Sequence, residues 1–150
     1  MSAAGQLAQR SSADSPRSFL AFDYGERRVG VATGNTVSAS ASPLLTIAAQ
    51  GDSRFEAIAR LLAEWQPDAL VVGVPFHPDG APHDNTARAR RFANQLRGRF
   101  PAYRARVFEV DERYSTTAAL EAGAQDADSA AAAILLQQYL DAPAHTHAHP

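Results

Sequence analysis

The sequence predicts an α/β domain: a mixed five-stranded sheet in which antiparallel hairpin strands come first and parallel βα units follow, flanked by helices. Three observations carry this expectation. Two β-type runs, Phe19–Phe22 and Val29–Thr33, are separated only by a Gly-containing turn, as in a hairpin. "DALVVGVP", Asp68–Pro75, is a continuously apolar run of the kind a strand shows when both of its faces are covered. Helical periodicity lies on both sides of that run, which calls for crossover connections between parallel strands.

The elements follow in order. Pro43–Ile47 (PLLTI) reads as a third strand. Ser53 and Glu56 stand at capping-box spacing ahead of the stripe Phe55, Ile58, Leu62 and Trp65, and Pro67 stops that helix. The apolar strand ending at Pro75 leads into a loop rich in Pro, His, Asp and Gly, Phe76–Asn85. A helix from Thr86 turns Ala89, Phe92, Ala93 and Leu96 inward. "ARVFEV", Ala105–Val110, alternates as a strand. A short helix from Ser115 and a longer one over Asp128–Leu140 close the domain, which spans 17–141. Residues 1–16, small and polar, read as a disordered leader, and 142–150 as a similar tail. The alternating His145, His147 and His149 of that tail read as solvated rather than as a metal site, since three His without a scaffold make a poor ligand set.

Composition narrows the function classes. At 150 residues the chain fits one domain with a core of its own. The absence of Cys excludes disulfides and thiolate metal sites. No apolar run is long enough to span a bilayer and no secretory h-region opens the chain, so a soluble cytoplasmic protein with no membrane partner is expected. A net charge of −2 argues against coating nucleic acid by bulk electrostatics. All 14 cationic side chains are Arg, whose planar fork suits phosphate, although a biased genomic composition is the plainer explanation.

The chemistry concentrates in carboxylates at element ends. Asp23 ends the first strand, Asp111 and Glu112 end the last, and Asp128 opens the last helix. Each has a plain structural alternative: an Asx turn at Asp23, solvated loop charges at Asp111 and Glu112, an N-cap at Asp128. An ionised Asp at the rim of a core costs several kcal/mol unless compensated, roughly in the range known for buried polar groups. Carboxylates that converge repel one another and require a cation. With neither Cys nor core His at ligand spacing, the fitting ion is hard, Mg²⁺ or Mn²⁺. A pair of such ions about 4 Å apart serves phosphodiester hydrolysis. Arginines stand where a polyanion would need them: Arg27 and Arg28 after the turn, Arg113 after Glu112, and Arg88, Arg90, Arg91, Arg97 and Arg99 along one helix. A solvated face is the competing reading of that helix.

Four stretches, "FDYGERRVGVA", "VVGVPFHPDG", "VDERYSTTAA" and "DSAAAAILLQQYL", resemble in order and spacing the signature blocks of the YqgF family, over about residues 18–141. These RuvC-like proteins of the ribonuclease H fold are also called RuvX or pre-16S rRNA nucleases. The resemblance implies a sheet with the first strand central. It further implies metal-dependent maturation of the 5′ end of precursor 16S ribosomal RNA. Carried over by motif, Asp23, Glu112 and Asp128 are the implied catalytic and metal-ligating residues, with Asp111 as a further candidate ligand. From their positions beside these carboxylates and on the Arg-rich helix, Arg27, Arg28, Arg88, Arg91 and Arg113 are the expected nucleic-acid contacts. The implied cofactor is Mg²⁺ or Mn²⁺, and the implied partner is precursor 16S rRNA, with ribosomal particles and structured DNA as further candidates. A monomer or weak homodimer is expected.

Two departures from the family pattern stand out. Gln125 and Asp126 occupy the region where a Lys often precedes the final Asp, and His77 stands where many members carry Asn. The first removes a phosphate contact and adds a spare carboxylate; the second adds a candidate proton shuttle, against the plainer reading of an exposed loop His. Two other functions compete with rRNA processing: cleavage of DNA junctions by a resolvase, which requires a stable dimer, and non-catalytic RNA binding in ribosome assembly. Actin-like ATPases and sugar kinases share an Asp-x-Gly turn but need two such domains around the nucleotide.

Overall fold

The computed structural model describes residues 16–77, 79–82, 84–112 and 127–142. The hairpin of β1 (Ser18–Asp23) and β2 (Val29–Asn35) is followed by β3 (Ser40–Ile47) and α1 (Gly51–Trp65). β4 (Ala69–Pro75), α2 (Thr86–Arg99), a 3-10 turn (Pro101–Arg106), β5 (Val107–Glu112) and α3 (Ala127–Asp141) follow. The five strands lie in the order β3-β2-β1-β4-β5, so β1 is central. It runs antiparallel to β2 and parallel to β4, and β5 is parallel to β4.

Strand alternation sorts the core into two layers. Leu20, Phe22, Val29, Val31, Leu70, Val72 and Val107 face α1 and α2, where they meet Phe55, Ile58, Leu61, Leu62, Phe92 and Leu96. Phe19, Ala21, Ala32, Ala69 and Val71 face α3, where they meet Ala132, Leu135, Leu136 and Tyr139. The parallel register of β1 and β4 is fixed at its start by Asp68, whose Oδ2 accepts the Arg17 and Ser18 amides at 2.8 and 3.1 Å. Asp68 is therefore a clamp ahead of β4 rather than its first residue.

Three local expectations are corrected. The Ser53–Glu56 capping box is not used: Gln50 is the N-cap and makes no side-chain cap bond. Gly51, at φ +62°, turns the chain two positions before Ser53, a conformation open to glycine. Ala105 and Arg106 belong to the 3-10 turn that Pro101 starts, so the last strand begins at Val107 and reaches Glu112. Asp128 lies inside the first turn of α3, which starts at Ala127, rather than at its cap. The predicted helix from Ser115, Arg113, Gln125, Asp126, the leader before residue 16 and the His tail lie outside the described residues.

Pro43 sits on the edge strand β3, where no ladder bond is lost to its missing N–H, and the register shifts beside it. Gln66 ends α1 in the left-handed conformation at φ 45°, its amide donating to the Leu62 carbonyl at 2.9 Å.

Candidate active site at the carboxyl end of the central strand

Parallel strands β1, β4 and β5 end on one rim, at Asp23, Pro75 and Glu112. Asp23 pairs with Gly30 on β2 and with Gly73 on β4, so the half-buried carboxylate is flanked on both sides by residues without side chains. Phe19 and Ala21 point toward α3, and alternation sends Asp23 to that same face.

Gly30 decides what else arrives there. A Cβ on Gly30 would lie 1.9 Å from the Asp128 carbonyl oxygen and 2.8 Å from the Ser129 amide nitrogen. Only glycine lets the first turn of α3 rest directly on β2, beside the partner of Asp23. Asp128, on that turn, thereby reaches the rim that Asp23 occupies, with the positive end of the α3 dipole beside both. The Asp128 carboxylate pairs with Arg28, Oδ2 to Nε at 3.3 Å.

The other predicted residues separate. Asp111 alternates with Val110, which packs on the α3 side, and so shares the opposite face with Glu109. Glu112 is in register with Pro75 at the rim, one position beyond Asp111. Among the described residues no three His, Asp or Glu side chains form a ready ligand group. The donor chemistry nonetheless fits a hard divalent ion: Asp23 and Asp128 offer carboxylate oxygens at a site whose glycines leave room for them.

The arginines divide just as sharply. Arg27 and Arg28 are exposed in the turn after Asp23. On α2, Arg88 pairs with Glu26 at 3.3 Å, Arg90 and Arg97 with Glu109 at 3.6 and 3.1 Å, and Arg99 with Asp52 at 3.1 Å. The acids absent from the helix itself are supplied by three other segments. Exposed Arg91 has no such partner among the described residues. His77 is exposed and closes its loop through the backbone: its amide donates to Ala81 and its carbonyl accepts from Gly80.

Sequence reasoning missed Gly30, Thr86 and Arg54. An isolated glycine inside a strand pattern is itself a sign of close backbone approach, and that sign was available at Gly30. Thr86 is buried and its hydroxyl donates to the Pro75 carbonyl, tying the start of α2 to the rim. Arg54 is only 5% exposed, and no local pattern marks it.

The RuvX family model, described as Holliday junction resolvase, matches residues 17–142. This chain belongs to the RuvX family. Relatives within it include a "Putative pre-16S rRNA nuclease" of Polaromonas sp. strain JS666, 61% identical over 83% of this chain and 88% of the relative. A protein of the same name from Albidiferax ferrireducens is 63% identical over 83% of this chain and 78% of its own length. Among solved structures, Thermus thermophilus RuvC in complex with Holliday junction substrate matches with a TM-score of 0.51 and 18% identity. It covers 82% of this chain and 93% of the RuvC chain, and shows that the RuvX domain has the RuvC-like, ribonuclease H-like fold. The family and its named relatives make this RuvX chain a nuclease, a hydrolase of phosphodiester bonds.

Proposed function

We propose that this chain is a metal-dependent endonuclease that processes the 5′ end of precursor 16S rRNA. The observation that carries the reading is the seating of Asp128 against Gly30, which places two carboxylate-bearing elements at one rim. A binder of polyanions gains nothing from gathering negative charge, whereas a phosphodiester hydrolase does. Asp23 and Asp128 would hold Mg²⁺ or Mn²⁺ together with Glu112. Asp111 is the weaker candidate, because position 111 falls on the face of β5 opposite Asp23. The bound ion would supply an activated water and neutralise charge on the departing oxygen.

The chain's own residues have distinct tasks. Arg28 balances Asp128, and Arg27, which has no acidic partner among the described residues, would present its fork to a phosphate. The α3 dipole adds partial positive charge at the same place. The relatives named for pre-16S rRNA favour RNA as substrate. The family description and the RuvC likeness favour a DNA junction as the second reading.

Labelled RNA carrying the 16S 5′ precursor sequence, run beside a four-way DNA junction with Mg²⁺, Mn²⁺ or EDTA, separates the two. Discrete RNA cuts, lost in EDTA and reduced at least about 100-fold in Asp23→Asn, are the expected result, the magnitude being that of removing one preorganised electrostatic group. Junction cleavage with intact RNA makes the chain a resolvase. Neither cut, with RNA still bound, makes it a binding factor.

A further inference from the structure

A groove of about 700 Å³ runs beside the rim, with Arg27 and Arg28 on one wall and Ala48, Ala49 and Gln50 on the other. Its walls come from two separate connections, the β1–β2 turn and the β3–α1 loop. One side chain joins them. Arg54, in the first turns of α1, donates through Nε to the Ala49 carbonyl and through Nη2 to the Glu26 carbonyl, both at 2.8 Å. Its guanidinium also lies 5.6 Å from the Tyr24 ring centroid, within cation–π range.

Burying a guanidinium is costly unless its charge is compensated. Arg54 forms no salt bridge to a carboxylate among the described residues; its acceptors are two carbonyls and a ring face. Fold stability alone is poorly served by such a choice, since an apolar residue would fill a buried helix position at less cost. The planar guanidinium, with donors at fixed angles on separate nitrogens, holds two carbonyls from different loops at a fixed separation. It also leaves a positive charge behind the groove wall.

Glu26 is held a second time, by the Arg88 pair on α2, and the turn is tight: a Cβ on Gly25 would come 2.4 Å from the Arg28 carbonyl. Arg27 and Arg28 therefore project from a braced turn. Arg27 has no acidic partner among the described residues, so its charge faces the groove's solvent.

We propose that this groove seats the sugar-phosphate backbone of a single nucleic-acid strand flanking the cleavage point, and that Arg54 is the positioning residue that holds its two walls in place. The class of occupant rests on the nuclease reading above. The groove itself is testable by binding alone.

The probe is a short fluorescein-labelled single-stranded RNA, titrated in EDTA with the full chain, with anisotropy followed across a salt series. Arg27→Ala/Arg28→Ala should weaken binding about tenfold and lower the slope of log affinity on log salt by at least about 0.7, the share of one phosphate contact at Arg27, since Arg28 already pairs with Asp128. Arg54→Met and Arg54→Lys should each reproduce most of that loss, the latter because one ammonium cannot span both carbonyls. Arg54→Met added to the double variant should change nothing further, as expected for residues that act as one unit. Arg60→Ala, an exposed charge on α1 away from the groove, should bind as wild type.

Unchanged affinity and slope in Arg27→Ala/Arg28→Ala overturns the groove, whether or not the Arg54 variants fold. Full binding by Arg54→Lys with loss in Arg54→Met overturns the bracing role, because charge alone would then suffice. Additive losses overturn it as well. The substrate assay with wild type is read separately: absence of cleavage with these binding results intact removes the nuclease and leaves the groove.

Discussion

The two faces of the sheet are built from different materials. On one, α1 and α2 set Phe55, Phe92, Ile58, Leu61, Leu62 and Leu96 against Leu20, Phe22, Val29 and Val31, with Phe92 meeting the rings of Phe22, Tyr24 and Phe55 at 6.0, 5.3 and 5.9 Å. On the other, α3 presents Ala132 and Ala133 beside Leu135, Leu136 and Tyr139 to Phe19, Ala21, Ala32, Ala69 and Val71, and its first turn rests on Gly30 of β2. At Gly34 a Cβ would meet the Ser40 carbonyl of β3 at 2.7 Å and the Leu136 side chain of α3 at 3.0 Å. The large-residue face holds the larger cluster of buried apolar side chains and so contributes the larger share of hydrophobic stabilisation. The thin face gains less, and what it achieves is proximity. A helix carrying Asp128 comes within backbone contact of the strand beside Asp23, a distance no Leu- or Phe-lined interface allows. Stability and placement of the site are thus divided between opposite sides of one sheet.

Truncation on the thick face tests the first half of that division and should give the largest effect on folding. Phe92→Ala removes the ring at the centre of the cluster and should cost about 3–5 kcal/mol, read as a lowered urea midpoint at constant m. A loss under about 1 kcal/mol would mean that the thick face is not where stability resides.

A smaller, pH-dependent effect sharpens the account of the thin face. Tyr139 packs edge-on to Phe19 at 5.4 Å and stacks near Phe108 at 6.1 Å, and burial raises its phenol above the ordinary value of 10.0. Below pH 10 folded and unfolded chains both hold this proton, so stability does not change with pH on its account. Above that, the unfolded chain releases the proton while the folded chain retains it, and stability falls through the raised value. The sequence has neither Lys nor Cys to titrate in this range. Tyr139→Phe should flatten that limb in melts taken across pH 9 to 12. An unchanged slope would place the phenol in contact with solvent.

Much of this division was legible in the sequence, and the reasons for the rest are physical. Element order and the carboxylate at the end of the first strand follow from apolar runs of strand length, and the central place of that strand from the family resemblance. The start of α1 was misplaced because a glycine able to adopt φ +62° overrides a downstream capping pattern. The start of β5 was misplaced because Ala105 and Arg106 fit a strand's alternation while Pro101 nucleates a 3-10 turn through them. The arginines of α2 looked like an unbalanced face, since their partners Glu26, Asp52 and Glu109 lie on other elements and pattern within a helix does not register them. Arg54 was invisible for the same reason: both of its acceptors are backbone carbonyls, which no sequence displays. The carboxylates divide between the two kinds of information. Position in the motif selects Asp23 and Asp128, whereas strand alternation is what separates Asp111 from Asp23.

The central claim is that close seating of α3 on Gly30 assembles the site, and Gly30→Ala tests it most directly. The added Cβ would meet the Asp128 backbone at 1.9 Å, so α3 must shift outward even where the fold survives. Overpacking of this kind should lower stability by about 1–3 kcal/mol. The decisive readout is the single-turnover cleavage rate of Gly30→Ala beside wild type, on whichever substrate wild type cuts, at a temperature well below both melting transitions. A folded variant that cleaves at least about 100-fold more slowly, as expected when a reacting geometry is misplaced by an ångström, is the predicted result. A folded variant that cleaves within threefold of wild type would contradict the account.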